Sequence, residues 1–313
     1  MQLFLQRVFD ALSNGAIYAA LAVALSMVYR SSAMLNFALG EMAMASTFLA
    51  LLLKSKPTPA FKGSTWTHKY LHTPWKFWLV VPAVIVVAMV AGMAVERLLV
   101  RRAEKRSAMA VVSVTLGVGI FVNGGVQQFF DSRFFSFPTP FPHGPKARWQ
   151  IGGALLRFET LGIAGTIIGV LTLLWLLQRW TKLGLAFRAV ASNRDGAELS
   201  GVPVNWVLAL GWGIAGGLGA LAAMLVANST FVSTAMMTRL FIFGLAAATV
   251  GGLDNPSGAA VGGLLLAMLE TMLGGYVPFI GGDVSLVAAI AVLAIVLMVR
   301  PQGLFGRQRV ARL

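Results

Sequence analysis

Long apolar runs, rather than amphipathic alternation, organise this chain. Stretches dominated by Ala, Leu, Val, Ile, Met and Gly cover roughly 11–30, 36–53, 78–99, 110–130, 160–178, 206–228 and 284–299. Each approaches the ~20 residues a helix needs to cross a hydrocarbon core about 30 Å thick. Between the last two lies 239–273, apolar but interrupted at Gly-Leu-Asp-Asn-Pro-Ser-Gly. Of its halves, 239–252 and 258–273, the first would rise only about 21 Å for its fourteen residues. The halves therefore read as two short buried spans or one re-entrant hairpin, shielded from lipid by protein or a water cavity. The pattern predicts an all-α fold, a polytopic membrane helix bundle of about 7–9 spans including short or broken helices. The whole of 1–313 reads as one transmembrane domain. Its first run reads as a span rather than a signal peptide: Asp10 accompanies the single basic Arg7 ahead of it, and no small-residue cleavage site follows.

Composition agrees. Hydrophobic residues make up 58% of the chain and charged residues 12%, about half the roughly 25% of a soluble domain. Such a chain has too little polar surface for a soluble globule and too much apolar surface for disorder. With no cysteine, disulfides, thiolate nucleophiles and Cys-ligated metals are excluded.

The net charge of +14 would suggest nucleic acid in a soluble protein. Here the basic residues sit at span ends, where they orient helices and meet anionic lipid, and no nucleic-acid partner is expected. One side would hold Arg30, the arginines of 97–109, the loop 179–205 and the C-terminal tail. The other would hold Arg7, the lysines of 54–77, Arg133, Lys146, Arg148, Arg157 and Arg239. The modest arginine-rich excess on the first side places the loop 179–205 and the C-terminus in the cytoplasm. The proline-containing loops 54–77 and 131–157 then face the opposite side as capping segments.

Few residues offer chemistry. His68 and His72 are spaced i, i+4 but lack a third ligand, and His143 sits in a Pro-Gly turn, so no metal is expected. Gly211-Trp-Gly-Ile-Ala-Gly216 matches a dinucleotide fingerprint but lies inside an apolar helix, without the strand and acid that motif requires. Close helix packing explains it better, as it does the GxxxG pairs Gly213/Gly217, Gly165/Gly169 and Gly258/Gly262. There is no GxxxxGK[ST], GxSxG or HExxH, so the chain has no ATPase motif of its own and is not expected to be an enzyme. Intramembrane polar groups carry more weight, because an ionisable side chain facing lipid is costly. Glu41, Glu270, Asp254, Asn14, Asn36, Asn123, Gln127, Gln128 and Asn228 are of this kind. Asn36 and Glu41, with Gly40 between them, suggest a discontinuous helix beside a substrate path. The segment 182–203 is too polar to span. It reads as a surface helix to Ser200, stopped by Gly201 and Pro203.

These pieces together resemble the permease subunit of branched-chain amino acid ABC transporters, the LivH type. The resemblance rests on Asn-Gly-Ala-Ile-Tyr-Ala-Ala-Leu (14–21), Leu-Asn-Phe-Ala-Leu-Gly-Glu (35–41), Gly-Leu-Ala-Phe-Arg-Ala-Val-Ala-Ser-Asn-Arg-Asp-Gly-Ala-Glu-Leu-Ser-Gly-Val (184–202), Val-Gly-Gly-Leu (250–253) and Arg-Pro-Gln-Gly-Leu-Phe-Gly (300–306). It implies a subunit of the bacterial inner membrane that binds no cofactor itself. A second permease subunit, most simply in a heterodimer, and two cytoplasmic ATPase subunits that use ATP would complete the machine. A periplasmic binding protein would deliver the substrate. Residues 184–202 would then hold the coupling helix, with Phe187, Arg188, Arg194 and Glu198 presented to an ATPase groove, and Asn14, Asn36 and Glu41 would line the substrate pathway. Two positions depart from the family pattern. Leu39 stands where His is usual, and Asp254-Asn255-Pro256-Ser257 replaces Gly-Ser-Ile-Pro. Urea and short-amide permeases share much of the pattern and give the alternative substrate class. An ion-coupled secondary transporter using Glu41, Glu270 or Asp254 as a relay is the competing class.

Overall fold

The computed structural model describes residues 1–54, 77–130, 134–137, 139–142, 144, 147–276, 284–300 and 302–306. Its helices follow the apolar runs. They are α1 (Gln2–Ser32), α2 (Leu39–Lys54), α3 (Phe77–Val95), α4 (Ala108–Phe129), α5 (Phe158–Trp180), α6 (Lys182–Ser192), α7 (Arg194–Leu199), α8 (Val204–Thr230), α9 (Met236–Gly251), α10 (Pro256–Tyr276) and α11 (Val284–Val299). Among the described residues, six helices are long and apolar enough to cross a membrane, and three shorter apolar helices accompany them. The fold is an all-α polytopic bundle. The exception is a small hairpin inside 131–157, β1 (Arg148–Ile151) and β2 (Ala154–Arg157), paired antiparallel. Gly152 and Gly153, at φ 58° and 83°, form its two-residue turn, a geometry that needs left-handed backbone at both positions.

The broken stretch resolves into α9 and α10. The second half is longer than its apolar run suggested: Pro256 opens it and it continues to Tyr276, 21 residues in all. Proline suits a first helical position, where its missing N–H costs nothing.

The chain forms two compact units. The first comprises Met1–Ala33, Phe141–Val207 and Ile242–Leu313; the second comprises Met34–Pro140 and Leu208–Phe241. Each is built around one almost fully buried helix, α1 in the first and α8 in the second.

In the first unit, α1 packs most extensively on α10. Small residues permit the approach. A Cβ on Gly15 would lie 3.0 Å from Leu264, and one on Gly263 would collide with the backbone of Ala19. Lipid tails are as apolar as leucine, so tight van der Waals packing rather than hydrophobic burial holds such helices together. Gly251, Gly258 and Gly262 bring α9 and α10 into backbone contact in the same way. The C-terminal segment closes the turn between them: Leu304 N–H donates to Val250 O (2.8 Å), Phe305 N–H to Gly251 O (3.2 Å), and Asn255 Nδ2 to Phe305 O (3.1 Å). Gly252, at φ 107° with Gly306 against it, admits no side chain. At the opposite end of α1, Gln2 and Gln6 bind the backbone of the β-hairpin at Gly153 and Leu155.

In the second unit, α3 and α8 touch through glycine. A Cβ on Gly92 would lie 2.5 Å from the Trp212 carbonyl oxygen, and one on Gly216 2.6 Å from that of Ala88. Gly213 and Gly217 receive Met93 and Met89. The Gly213/Gly217 and Gly258/Gly262 motifs therefore act as packing faces, whereas Gly165 and Gly169 have nothing within 4 Å among the described residues. Helix α3 continues through a π turn at Glu96–Val100 to Glu104. There Glu96, 2% exposed, forms a bidentate pair with Arg101 (2.8 and 3.1 Å).

Candidate functional site

Glu41 stands in the first turn of α2. Its Oε2 accepts a hydrogen bond of 2.6 Å from Asn123 Nδ2 on α4, and the same amide nitrogen donates to Thr234 O at 3.1 Å. Gln127 Nε2, one turn on, donates to Asn123 Oδ1 at 2.5 Å. Gly119 makes room for this polar chain: a Cβ there would lie 3.5 Å from Glu41 Cγ and 3.6 Å from Ala38 Cα. The result is a carboxylate and two amides joined across α2 and α4 inside the second unit. Such charge-assisted bonds are short and strong. They satisfy groups that hydrocarbon would not.

Helix α4 is little covered by its own chain: only 17% of its apolar window is buried. Gln127 and Gln128 are exposed on it, and Gly117, Gly124 and Gly125 have open space around them. Exposed amides and bare glycines on a membrane-crossing helix suit a polar passage or another protein surface, not lipid.

Asn36 stands just ahead of α2. It is 2% exposed, and its Oδ1 accepts the Ala38 N–H at 3.0 Å, which orders the turn that starts α2. Leu39, the departure from the family pattern, is fully buried beneath Gly219 of α8. It is a packing residue. Asn14 belongs to the first unit, half-buried on α1, so the three expected pathway residues divide between the two units. In the first unit the intramembrane acid Glu270 accepts from Tyr18 Oη at 2.7 Å, and the Tyr18 ring stacks on Phe243 at 5.0 Å.

The segment 182–203 forms two helices rather than one. Thr181 caps α6 through Gly184 N–H, and Asn193 breaks the run and caps α7 through Gly196 N–H (3.0 Å). Gly201, at φ 79°, stops α7 as expected. Phe187, expected to face an ATPase, is 3% exposed and sits inside the chain. Arg194 is half-buried, with Nη2 3.4 Å from Ser31 O. Arg188 and Glu198 are exposed, as are Leu185 (61%) and Leu199 (90%). The apolar groups offered outward are thus three leucines, Leu183 (45% exposed) being the third. The sequence marked the segment as a surface helix without saying which stripe its own bundle takes.

Sequence reasoning missed the Glu96–Arg101 pair, whose i, i+5 spacing fits a π turn rather than the i, i+4 of an α-helix. His68, His72 and His143 lie outside the described residues.

The family described as "Branched-chain amino acid transport system / permease component" matches residues 7–300. Among curated proteins, the chain is 26% identical to the high-affinity branched-chain amino acid transport system permease protein LivH of Salmonella typhimurium, over 99% of this chain and 97% of that one. It is 28% identical to the corresponding BraD of Pseudomonas aeruginosa, over 99% and 98%. A solved structure, PsaBC from Streptococcus pneumoniae in complex with Fab, aligns with 96% of this chain and 92% of its own at 14% identity and a TM-score of 0.46. The chain belongs to the branched-chain amino acid transport system permease family of ABC transporters.

Proposed function

We propose that this chain is the membrane permease subunit of an ATP-driven importer that translocates branched-chain or other small amino acids. The observation that carries the reading is full-length similarity to LivH and BraD. In this reading a periplasmic binding protein delivers the substrate and two cytoplasmic ATPase subunits bind ATP. A second permease subunit, as a heterodimer partner, completes the pathway. The chain sits in the bacterial inner membrane with its C-terminus in the cytoplasm, as one permease domain coupled through 179–205.

The amide-and-carboxylate chain of Glu41, Asn123 and Gln127 supplies the pathway chemistry. A zwitterionic amino acid needs polar groups that hold its ammonium and carboxylate weakly enough to release them. Glu41 can attract the ammonium, and the Asn123 and Gln127 amides can serve either end. The open face of α4 supports a passage completed by the second subunit. Arg188, Glu198, Leu185 and Leu199 on α6–α7 form the exposed face that meets the ATPase, while Phe187 fixes α6 to its own chain.

The substrate reading is tested by uptake of labelled leucine, urea and a short amide in proteoliposomes carrying the complete complex. Leucine uptake that needs both ATP and the binding protein is the expected result. ATP-dependent uptake of urea alone would select the urea and amide alternative. Uptake driven by an ion gradient without ATP would select a secondary transporter.

A further inference from the structure

The first unit holds a cavity of about 450 Å³ between α1, α5, α6 and the start of α10. Its two ends differ in chemistry. Ala16, Val23, Leu171 and Leu264 line the apolar end. Arg30, Arg179 and Arg188 converge at the other, around Gln178. Arg30 Nη1 donates to Gln178 Oε1 at 3.0 Å, and Arg188 Nη1 donates to the Gln178 carbonyl. The Arg179 guanidinium lies 5.6 Å from the Trp175 ring centroid. No Asp or Glu is among the described lining residues.

We infer that this cavity is a binding site for an anionic phospholipid, with the phosphate at the three arginines and an acyl chain along the apolar trough. Charge selects the headgroup. Three guanidiniums lining one cavity favour an anion, and arginine grips phosphate through its planar fork of donors. Depth agrees. Trp175 and Trp180, 48% and 76% exposed in the last turns of α5, are residues of the kind that sit at headgroup level. From Arg30 back to Ala16 the helix rises about 21 Å, close to one leaflet of a bilayer about 40–45 Å thick with its headgroups. Basic pockets between transmembrane helices are the general form of such sites. Because α6 supplies Arg188, the lipid would also brace the helix pair α6–α7 against α1 and α5. The inference stands whatever substrate the permease carries.

The test uses the full chain purified with its associated subunits, equilibrated in mixed micelles of phosphatidylglycerol and phosphatidylcholine. Retained lipid is identified by native mass spectrometry after bulk lipid is stripped. Phosphatidylglycerol should be kept in clear preference to phosphatidylcholine. Arg179→Gln should lower its retention about fivefold, the effect of one basic group near a lipid surface, and Arg179→Lys should restore most of it. Ala260→Phe, which fills the cavity and leaves the charges in place, should lower retention of both lipids, and thermal unfolding should confirm that each variant folds. Equal retention of the two lipids, or wild-type retention by Arg179→Gln, would overturn the inference. So would complete displacement of the lipid by inorganic phosphate, which would make the site one for a soluble anion, or retention of no lipid because a neighbouring subunit covers the cavity.

Discussion

Asn36 and Glu41 stand five residues apart and do different work. Asn36 spends its side-chain oxygen on the Ala38 N–H, so Asn36→Ala should cost about 1 kcal/mol, the usual loss for a helix-start cap. A lower unfolding midpoint should accompany any fall in transport. Glu41 accepts instead from the side-chain amide of Asn123 on another helix. Glu41→Gln preserves shape and hydrogen bonding but removes the charge, so membrane levels, unfolding midpoint and basal ATPase of the complex should stay near wild type while amino acid uptake falls. Wild-type uptake in Glu41→Gln would remove Glu41 from the pathway. Asn123→Leu strips the carboxylate of its partner and should cost roughly 1–3 kcal/mol, visible as lost expression or a lower midpoint. The sequence placed both residues in one functional segment because an amide and an acid among apolar residues look alike at that level. An asparagine just ahead of an apolar run is also the ordinary start of a helix, and burial decides between the two readings.

The elements were legible where hydropathy alone defines them, and less so where backbone geometry intervenes. Every apolar run became a helix, but the surface segment split at Asn193, whose side chain caps α7 and ends α6. The hairpin in 131–157 was hidden because two four-residue strands joined by Gly-Gly leave too short an alternation to register. Helix α6 also turned its phenylalanine inward. Phe187→Ala should therefore create a cavity in its own chain, at about 3–5 kcal/mol by analogy with soluble cores. Hydrogen exchange across 182–192 should rise even in the isolated subunit. Leu185→Ala and Leu199→Ala remove exposed side chains and should leave that exchange unchanged, while co-purification of the ATPase subunits falls. If Leu185→Ala and Leu199→Ala together leave ATPase retention intact, the outward face of α6–α7 is only solvated surface. Glycine at the α3–α8 contact admits a sharper test of packing. Gly216→Leu puts a branched side chain against the Ala88 carbonyl and should abolish accumulation of the folded chain in membranes, whereas Gly169→Leu, facing open space, should be tolerated.

At the scale of the whole molecule, spans are countable from sequence but their grouping is not. The helices are apolar all round, so periodicity carries little about which neighbour each one takes. The partnership of α1 with α10 joins residues some 250 positions apart through small side chains that are common throughout the chain. Orientation lies between these cases. In the first unit, Arg30, Arg179 and Arg188 gather at one end of the bundle, where the 300–306 segment also closes the α9–α10 turn. Arg148 and Arg157 lie in the hairpin that packs on the start of α1. With Arg7 in the first turns of α1, the described arginines of this unit are shared between its two ends, so the cytoplasmic placement of 179–205 rests on the arginine density of the loops in the sequence and stands as a prediction. The natural absence of cysteine makes this testable with a single thiol. Ser192 is exposed at the end of α6, so Ser192→Cys should leave packing undisturbed. In sealed cells a membrane-impermeant maleimide should fail to label it. Inside-out vesicles should be labelled fully, unless ATPase subunits shield the position, and stripping those subunits should then restore labelling. Labelling of intact cells would invert the topology and place α6–α7 on the face where no ATPase can reach it, ending the coupling role of that helix pair together with the assignment of the C-terminus to the cytoplasm.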